Sequence, residues 1–243
     1  MNAGALIAGL LVSLTAAGAK PAPAKSPSIS GVVAFRGAPP ATAMIDRSSD
    51  PACGANAPDE KVQVKGGRLA NVLVRVVGAP KPSQPPASPV IIDQTGCMYR
   101  PRVSGALDGQ KILVRNADGT LHNVHAWLGK KSGAGKPLTA FNKAQTPGSP
   151  PISESFNAAD GVLSVQCDIH PWMQAWVVPV ESSFFAVTGP DGTFAIGGLP
   201  PGTYKLVAWH ESLGTQEQQV KVPAHGGATV TFTYPDAAAR TSH

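Results

Sequence analysis

Apolar residues in this chain occur in short runs that are separated by segments rich in glycine and proline. The runs at residues 29–35, 69–77 and 111–116 are rich in valine, isoleucine and leucine. Runs of this length, bounded by turn residues, predict β-strands, and the 3.6-residue period of an amphipathic helix is almost absent after residue 20. The 26 glycines and 24 prolines favour many turns between these strands. We therefore expect an all-β fold.

The last third of the chain contains two turn signatures between strand-like runs. An Asp-Gly pair at 191–192 joins the runs at 185–188 and 193–196, which predicts a hairpin. Farther on, the sequence Leu-Pro-Pro-Gly-Thr-Tyr at 199–204 places proline and glycine where a β-turn needs them. These motifs resemble the carboxypeptidase regulatory-like (transthyretin-like) family, and the resemblance implies a β-sandwich.

Domains of that type usually open with two strands that look like residues 29–33 and 71–74. In this chain those residues lie far upstream of the hairpin motifs. The resemblance therefore implies a discontinuous sandwich, built from 28–78 and 181–234, with a separate module inserted at 90–180. The alternatives are two consecutive sandwiches or one enlarged sandwich.

A second group of motifs carries metal chemistry. The seven residues from Cys167 to Met173 include a thiol, the imidazole of His170 and a thioether. Soft sulfur donors with imidazole select copper or zinc over hard cations, and a thiolate with two histidines and a weak thioether is typical of a blue-copper electron-transfer site. A His-Asn-Val-His run at 122–125 follows the predicted strand at 111–116 and supplies further imidazoles.

These two stretches resemble the cupredoxin (type 1 copper) family, most closely its amicyanin and plastocyanin branch. The resemblance implies a Greek-key β-sandwich that holds one type 1 copper ion per chain. Matched by position, His122, Cys167 and His170 would be the equatorial ligands and Met173 the axial ligand. His125 matches a residue that does not bind the metal.

The same resemblance implies roles for the neighbours of these ligands. Asn123 would tie the two ligand stretches together by hydrogen bonds. Electrons would leave through an exposed edge of His170, with Pro171 and Trp172 in the surrounding docking patch, unless Trp172 packs against the neighbouring domain instead. Zinc is the rival metal, but it usually takes cysteine and histidine without a thioether. A dinuclear copper centre would need a second cysteine in the loop.

The beginning of the chain predicts export. Residues 3–16 form an apolar run that is followed by small residues, as in a cleaved secretory signal, and the run is too short to span a bilayer. No lysine or arginine precedes the run, so an uncleaved membrane anchor is the alternative. No later stretch is long and apolar enough for a transmembrane helix. We therefore expect a periplasmic or secreted protein.

Three cysteines in an exported protein leave one thiol unpaired. Cys167 has the ligand neighbours, so Cys53 and Cys97 are free to form a disulfide in an oxidising compartment. Two reduced thiols are the alternative, because the sequence does not give the distance between them.

The chain accordingly divides into seven segments, each with its own predicted character. They are a signal peptide at 1–19, a linker at 20–27, the first part of a transthyretin-like β-sandwich at 28–78, a proline-rich linker at 79–89, a cupredoxin-like copper domain at 90–180, the second part of the transthyretin-like β-sandwich at 181–234, and a tail at 235–243.

We expect an exported blue-copper protein that shuttles single electrons, and no enzyme, because no nucleophile elbow or catalytic triad is recognisable. The partner would be a redox protein such as a c-type cytochrome or a periplasmic dehydrogenase. The formal net charge of +5 and the pI of about 9.2 favour an acidic partner. Nucleic acid is not an expected partner. The lysines that could dock such a partner lie in the loop after the first ligand stretch: Lys130, Lys131, Lys136 and Lys143.

Two other classes of function remain open. The first is a protein that stores, delivers or senses copper without redox turnover. The second is an adhesion or carbohydrate-binding β-sandwich whose metal site is structural. Reversible one-electron chemistry would separate the expected electron carrier from both.

Overall fold

The computed structural model describes Met1, residues 26–132 and residues 135–236. Apart from Met1, the predicted signal peptide lies outside the described residues, as do most of the predicted linker at 20–27 and tail at 235–243. The described residues form an all-β protein, as the sequence predicts. Among them, no helix has the length and apolar character needed to cross a membrane.

Strands account for nearly all of the regular structure in the described residues. The strands before residue 80 are β1 (Ser28–Arg36), β2 (Met44–Ile45), β3 (Ala57–Pro58), β4 (Val64–Lys65), β5 (Arg68–Leu69) and β6 (Leu73–Val77). Those of the middle segment are β7 (Val90–Gln94), β8 (Tyr99–Arg100), β9 (Val103–Ala106), β10 (Lys111–Asn116), β11 (His122–Lys131), β12 (Pro137–Gln145), β13 (Ile152–Ser155), β14 (Leu163–Gln166) and β15 (Gln174–Pro179). The last strands are β16 (Phe185–Val187), β17 (Thr193–Gly197), β18 (Gly202–His210), β19 (Gly214–Val222) and β20 (Gly227–Pro235). Single 3-10 turns lie at Pro51–Cys53 and Ala158–Asp160.

One β-sandwich is built from both ends of the described chain. In one sheet β1 pairs antiparallel with β17 and parallel with β20. In the other sheet β6 lies between β16 and β18, and β18 continues to β19. The inward residues of both sheets form a common apolar core that includes Ile29, Val74, Leu206 and Phe232. Strands from the first 80 residues therefore complete sheets whose other strands follow residue 184.

A second sandwich occupies the middle of the chain. Its sheets have the strand orders β13-β10-β7-β8 and β12-β11-β14-β15-β9. The core between them contains Ile92, Val114, Val124 and Val177, all almost completely buried. In β14 the residues alternate between buried and half-buried, as expected of a strand with one face on a core.

A buried ion pair joins the two sandwiches. Arg102, just before β9, makes two hydrogen bonds to the carboxylate of Glu211, which follows β18, and both side chains are 3% exposed. The indole N–H of Trp176 donates to the same carboxylate at 2.9 Å, and its ring packs edge to face against Trp209. Because each charge is paired and hydrogen-bonded, the desolvation cost of burying the two charges is offset. The ion pair lies beside an apolar cluster in which Leu73 meets Val103 and Val178, and together these contacts hold one sandwich on the other.

The segment between β1 and β4 lies within residues 28–78, which the sequence assigns to the first sandwich, but part of it contacts the second sandwich instead. Residues 47–60 cross to one end of the second sandwich. Cys53 is joined there to Cys97, and Glu60 makes a two-point ion pair with Arg100 at 2.6 and 2.7 Å. The sequence has little apolar periodicity here because the segment is held by polar and covalent contacts instead of a core.

The strand pairing predicts that the last part of the chain cannot fold alone. A fragment covering residues 181–243 would lack β1 and β6, which leaves sheet edges unpaired and core side chains exposed. We expect a poorly dispersed amide NMR spectrum. Joining residues 28–78 to 181–236 through a short flexible linker should restore dispersion, since β6 and β16 are antiparallel neighbours. A well-dispersed spectrum from the fragment alone would contradict this architecture.

Candidate metal centre

Pairing of three strands assembles the candidate site. His122 is the first residue of β11, Cys167 directly follows β14, and Met173 directly precedes β15. β11 pairs antiparallel with β14, so that His125 is opposite Gln166. The start of β11 therefore lies beside the end of β14, and two segments more than 40 residues apart in sequence become neighbours.

The donor atoms of three predicted ligands converge in a buried position. The Nδ1 atoms of His122 and His170 are 2.9 Å apart, and the Cys167 Sγ is 3.7 Å from the His170 Nδ1. One donor atom from each of the three residues lies within 4.8 Å of the others. None of the three side chains is more than 1% exposed. A small cation held between these atoms would be shielded from water.

Met173 closes the ligand loop and is fully buried in the same apolar cluster as Cys167. The Met173 N–H donates to the His170 carbonyl at 2.9 Å, and the Cys167 N–H donates to the Met173 carbonyl at 3.3 Å. These bonds make the seven-residue loop a tight connection between β14 and β15. The thioether is thereby kept on the core side of the loop.

Each histidine is bound on its outer side by a carboxylate. The His122 Nε2 is 2.9 Å from the Asp118 Oδ2, and the His170 Nε2 is 3.0 Å from the Asp50 Oδ2. When each Nε2–H donates to its carboxylate, both Nδ1 atoms present lone pairs to the same point. That arrangement suits a cation, and a carboxylate on the far nitrogen is a common support for a metal-bound imidazole.

The protonation states are compatible with metal binding at neutral pH. Burial lowers the pKa of His122 below its ordinary value, although the hydrogen bond to Asp118 offsets part of this effect. Burial alone would raise the pKa of Asp118, but hydrogen bonds from the Cys97 N–H, His122 and the Gly96 N–H bring it below its usual value. His122 is therefore neutral and Asp118 ionised at pH 7.

Asn123 links the two ligand stretches in the structure. Its Oδ1 accepts a hydrogen bond from the Asp168 N–H at 2.6 Å, and its own N–H points to the Cys167 Sγ at 3.5 Å. A second link comes from Tyr99, whose buried hydroxyl donates to the Asn123 carbonyl at 2.7 Å and also lies 3.2 Å from the Gln166 carbonyl. Hydrogen bonding to the sulfur and to both strands holds the Cys167 side chain in position.

The prediction that an edge of His170 is exposed is wrong. The imidazole is 1% exposed because Asp50, from outside the ligand-bearing sandwich, covers its Nε2 side. Pro171 is exposed, and Trp172 is half-buried with its indole N–H donating to the Cys97 carbonyl at 3.0 Å. Trp172 therefore packs on its own sandwich, beside the disulfide, with its ring centre 5.1 Å from that of His170.

The disulfide between Cys53 and Cys97 is present, with Cα atoms 5.4 Å apart, and Cys167 is the free cysteine. His125, expected to lie outside the ligand set, contacts Asp168 and Thr139 and stacks on Trp127.

Sequence reasoning missed the two carboxylates, Asp50 and Asp118. Asp118 precedes His122 by four residues, and its position at a turn before a ligand strand was a signal that could have been used. Asp50 is 120 residues from His170, and its surroundings carry no apolar pattern, so no local signal pointed to it.

The donor set suits a soft or borderline metal such as copper better than a hard cation. A thiolate, two neutral imidazoles and a neighbouring thioether are soft or borderline donors, which disfavours calcium and magnesium. The buried environment around the sulfur atoms is apolar, as the shared cluster of Cys167 and Met173 shows. His122, Cys167 and His170 are the residues that would hold the ion, with Met173 as the remaining candidate ligand.

Comparison with known proteins gives a family match for the end of the chain. Residues 173–235 match the carboxypeptidase regulatory-like domain. The match runs from β15 to β20 and confirms that part of the predicted resemblance; β1 and β6 lie outside it. No curated protein sequence matches the chain.

Several solved structures are similar to part of the chain. A purple cupredoxin from Nitrosopumilus maritimus is 21% identical, with 37% of this chain and 98% of that chain covered and a TM-score of 0.30. A reduced amicyanin variant is 22% identical, with coverages of 42% and 97% and a TM-score of 0.31. A copper-containing nitrite reductase from Thermus scotoductus SA-01 is 21% identical, with coverages of 43% and 27% and a TM-score of 0.31.

The cysteine arrangement predicts a defined thiol count. Denatured, metal-free and unreduced protein should contain one thiol that reacts with a chromogenic reagent, because Cys53 and Cys97 are bridged. Reduction before the assay should raise the count to three. The bridge closes a loop between cysteines that are 44 residues apart, and this loop restricts the unfolded chain. Replacing both cysteines by serine should therefore lower the free energy of unfolding by about 3–4 kcal/mol. Three thiols without reduction, in protein isolated from an oxidising compartment, would contradict the bridge.

Proposed function

We propose that this protein is an exported carrier of single electrons that holds one type 1 copper ion between His122, Cys167, His170 and Met173. The observation that carries the proposal is the convergence of two imidazole Nδ1 atoms on the buried Cys167 Sγ, with both imidazoles oriented by carboxylates. Copper bound there would supply a reversible one-electron step, with a potential set by the axial ligand and by hydrogen bonds to the thiolate.

The protein's own contribution is a rigid and dry set of ligands. The ligand loop is closed by main-chain hydrogen bonds, and the Asn123 and Tyr99 contacts connect it to β11. A site that cannot rearrange keeps the same donor positions in both oxidation states, which favours fast electron transfer. No substrate bond needs to break, and we therefore propose no enzymatic activity.

Burial of the ligands supports a carrier over a delivery protein. The three converging side chains are 0–1% exposed, and one of them is covered by a segment that is disulfide-linked to the same sandwich. Release of an ion from this position would require the loop or the covering segment to open. Rapid handover of metal, which delivery requires, is therefore disfavoured.

The partner that we propose is a redox protein such as a c-type cytochrome or a periplasmic dehydrogenase. The net charge favours an acidic one. The expected basic loop is a hairpin in the structure, because Lys130 and Lys131 lie at the end of β11 and Lys143 lies on β12. This basic hairpin is partly neutralised by its own sandwich, since Lys130 contacts Asp160 and Lys143 contacts Glu154. Lys131 and Lys136 are the other two lysines of this cluster.

The copper proposal predicts a coloured protein with one copper per chain. Replacing Cys167 by Ser should abolish the charge-transfer absorption, because a hydroxyl does not supply the soft anionic donor. His122→Gln should also lose the type 1 spectrum, whereas His125→Gln, on the same strand, should keep it as a matched control. Titration with copper and visible absorption would measure this. Tight binding of zinc in preference to copper, without colour, would refute the proposal.

The axial position has its own test. A Met173→Leu protein should remain coloured and have a higher reduction potential, because a weak donor to the oxidised ion has been removed. Leucine has a similar volume and should preserve the buried packing of this residue. Voltammetry of the two proteins would show the difference. Equal potentials would show that the thioether does not act on the metal.

If the basic hairpin steers an acidic partner by its charge, the rate of electron exchange should depend on the salt concentration. Electron exchange with an acidic cytochrome c should slow as ionic strength rises toward about 0.1 M, where the Debye length is about 10 Å. Charge reversal at Lys131 and Lys136 should weaken this dependence, whereas reversal at Lys221, on β19 of the other sandwich, should not. If the rate in the unmodified protein stays constant or rises with salt, the basic hairpin is not a docking surface.

A further inference from the structure

A short turn from outside the ligand-bearing sandwich covers the site. We call residues 50–54 the capping turn; it contains the 3-10 turn Pro51–Cys53. The Asp50 Oδ1 accepts from the Ala52 N–H at 2.9 Å and starts this turn. The buried Arg47 side chain donates to the Cys53 carbonyl at 3.3 Å and to the Gly96 carbonyl at 3.1 Å. The turn is thus attached to the ligand-bearing sandwich by hydrogen bonds as well as by the disulfide.

The Asp50 carboxylate is held in place by groups other than the histidine. Its Oδ2 accepts from the Thr120 hydroxyl at 2.9 Å and is 3.0 Å from the His170 Nε2. Hydrogen bonds from the Thr120 hydroxyl and the Ala52 N–H hold the carboxylate in place. An acceptor in this fixed position can accept the Nε2–H of His170, and the Nδ1 of the same ring then faces the Nδ1 of His122.

The Asp118 carboxylate contacts the Nε2 of His122 in the same way, and it is bound by the backbone at Cys97, the other cysteine of the disulfide. Its Oδ1 accepts from the Gly96 N–H at 2.6 Å, and its Oδ2 accepts from the Cys97 N–H at 2.8 Å. Cys97 has a φ of 53°, which is costly for a residue with a side chain, and these two bonds hold the backbone in that conformation. The two histidine supports are therefore connected to each other through the Cys53–Cys97 bond.

We propose that Asp50 and Asp118 are positioning residues for the two imidazoles, and that the disulfide between Cys53 and Cys97 holds the two carboxylates together as one clamp. The clamp sets the tautomer and ring orientation of both histidines before any metal arrives. It also retains His170 at the site and closes the imidazole edge by which a partner would otherwise approach. This inference rests on the proposed function only in taking copper as the bound ion.

Metal-free protein tests the clamp directly. Nitrogen-15 NMR of imidazole groups distinguishes protonated from unprotonated ring nitrogens. We expect both His122 and His170 to show a slowly exchanging Nε2–H. Asp50→Ala should remove the His170 signal alone, and Asp118→Ala the His122 signal alone. Asp50→Asn should restore the His170 signal, because an amide oxygen can still accept the Nε2–H.

A nearby carboxylate serves as the matched control. Asp46 lies in the same segment and is exposed, and its Oδ1 accepts only a local hydrogen bond from the Ser48 N–H at 2.9 Å. Asp46→Ala should leave both imidazole spectra unchanged. Identical imidazole spectra for Asp50→Ala, Asp118→Ala and Asp46→Ala would overturn the clamp.

Metal release gives an independent measurement. With cobalt(II) as a spectroscopic probe of the site, Asp50→Ala and Asp118→Ala should each release the ion about 10-fold to 100-fold faster, as is typical when the support of a metal-bound histidine is lost. A Cys53→Ser/Cys97→Ser protein should release it faster than the unmodified protein does. Release rates in the aspartate variants that equal that of Asp46→Ala would overturn the proposal, even if the serine double variant fails to fold.

The two proposals fail in different ways. If the imidazole spectra behave as described but the protein gives no coloured copper complex, the clamp stands and the electron-transfer function falls. If the coloured complex forms while Asp50→Ala and Asp118→Ala behave like Asp46→Ala, the function stands and the clamp falls.

Discussion

Antiparallel pairing of β11 with β14 is the constraint on which the candidate site depends. A soft metal site needs donors that face one another in a dry position, and no short segment can provide two imidazoles and a thiolate in that geometry without support from a sheet. The pairing puts His125 opposite Gln166, so the start of β11 lies beside the residues that directly follow β14. Hydrogen bonds from Asn123 and Tyr99 then fix the two segments against each other, so the site inherits the rigidity of the sheet.

Contacts at the two ends of the ligand-bearing sandwich have different physical origins. At the ligand end, the capping turn is attached by a covalent bond and by polar groups around it. Toward the first sandwich, the attachment is the buried Arg102 and Glu211 pair with two tryptophans. The second attachment also includes an apolar cluster, in which Leu73 and Phe185 of the first sandwich meet Val103 and Val178 of the ligand-bearing sandwich. The ligand-bearing sandwich is therefore held by polar and covalent contacts at one end, and by a buried ion pair together with apolar packing at the other.

The sequence predicts what is local in the chain, and it fails where the contacts are distant and polar. Runs such as 69–77 and 111–116 are strands because valine and isoleucine pack on a sheet, and the run itself reveals this. The residues from Cys167 to Met173 likewise indicate a metal site by themselves, because a thiol, an imidazole and a thioether lie within seven residues. In contrast, Asp50 meets His170 across 120 residues, and Arg102 meets Glu211 across 109. A single charged residue has no periodicity, so its partner can be recognised only when the fold is known. The expectation of an exposed His170 was wrong for the same reason, because it came from a ligand loop considered without the segment that covers it.

The pairing of β6 with β16 also has a consequence for chain entropy. Arg75 is opposite Phe185, so the entire ligand-bearing sandwich lies within the connection between two neighbouring antiparallel strands. The entropy of closing a flexible loop grows only with the logarithm of its length, at about 0.6 kcal/mol for each doubling. A connection that folds on its own holds its two ends at a fixed separation, and much of that closure cost then disappears. The first sandwich can therefore carry a whole second sandwich in one of its loops at little expense to its own stability.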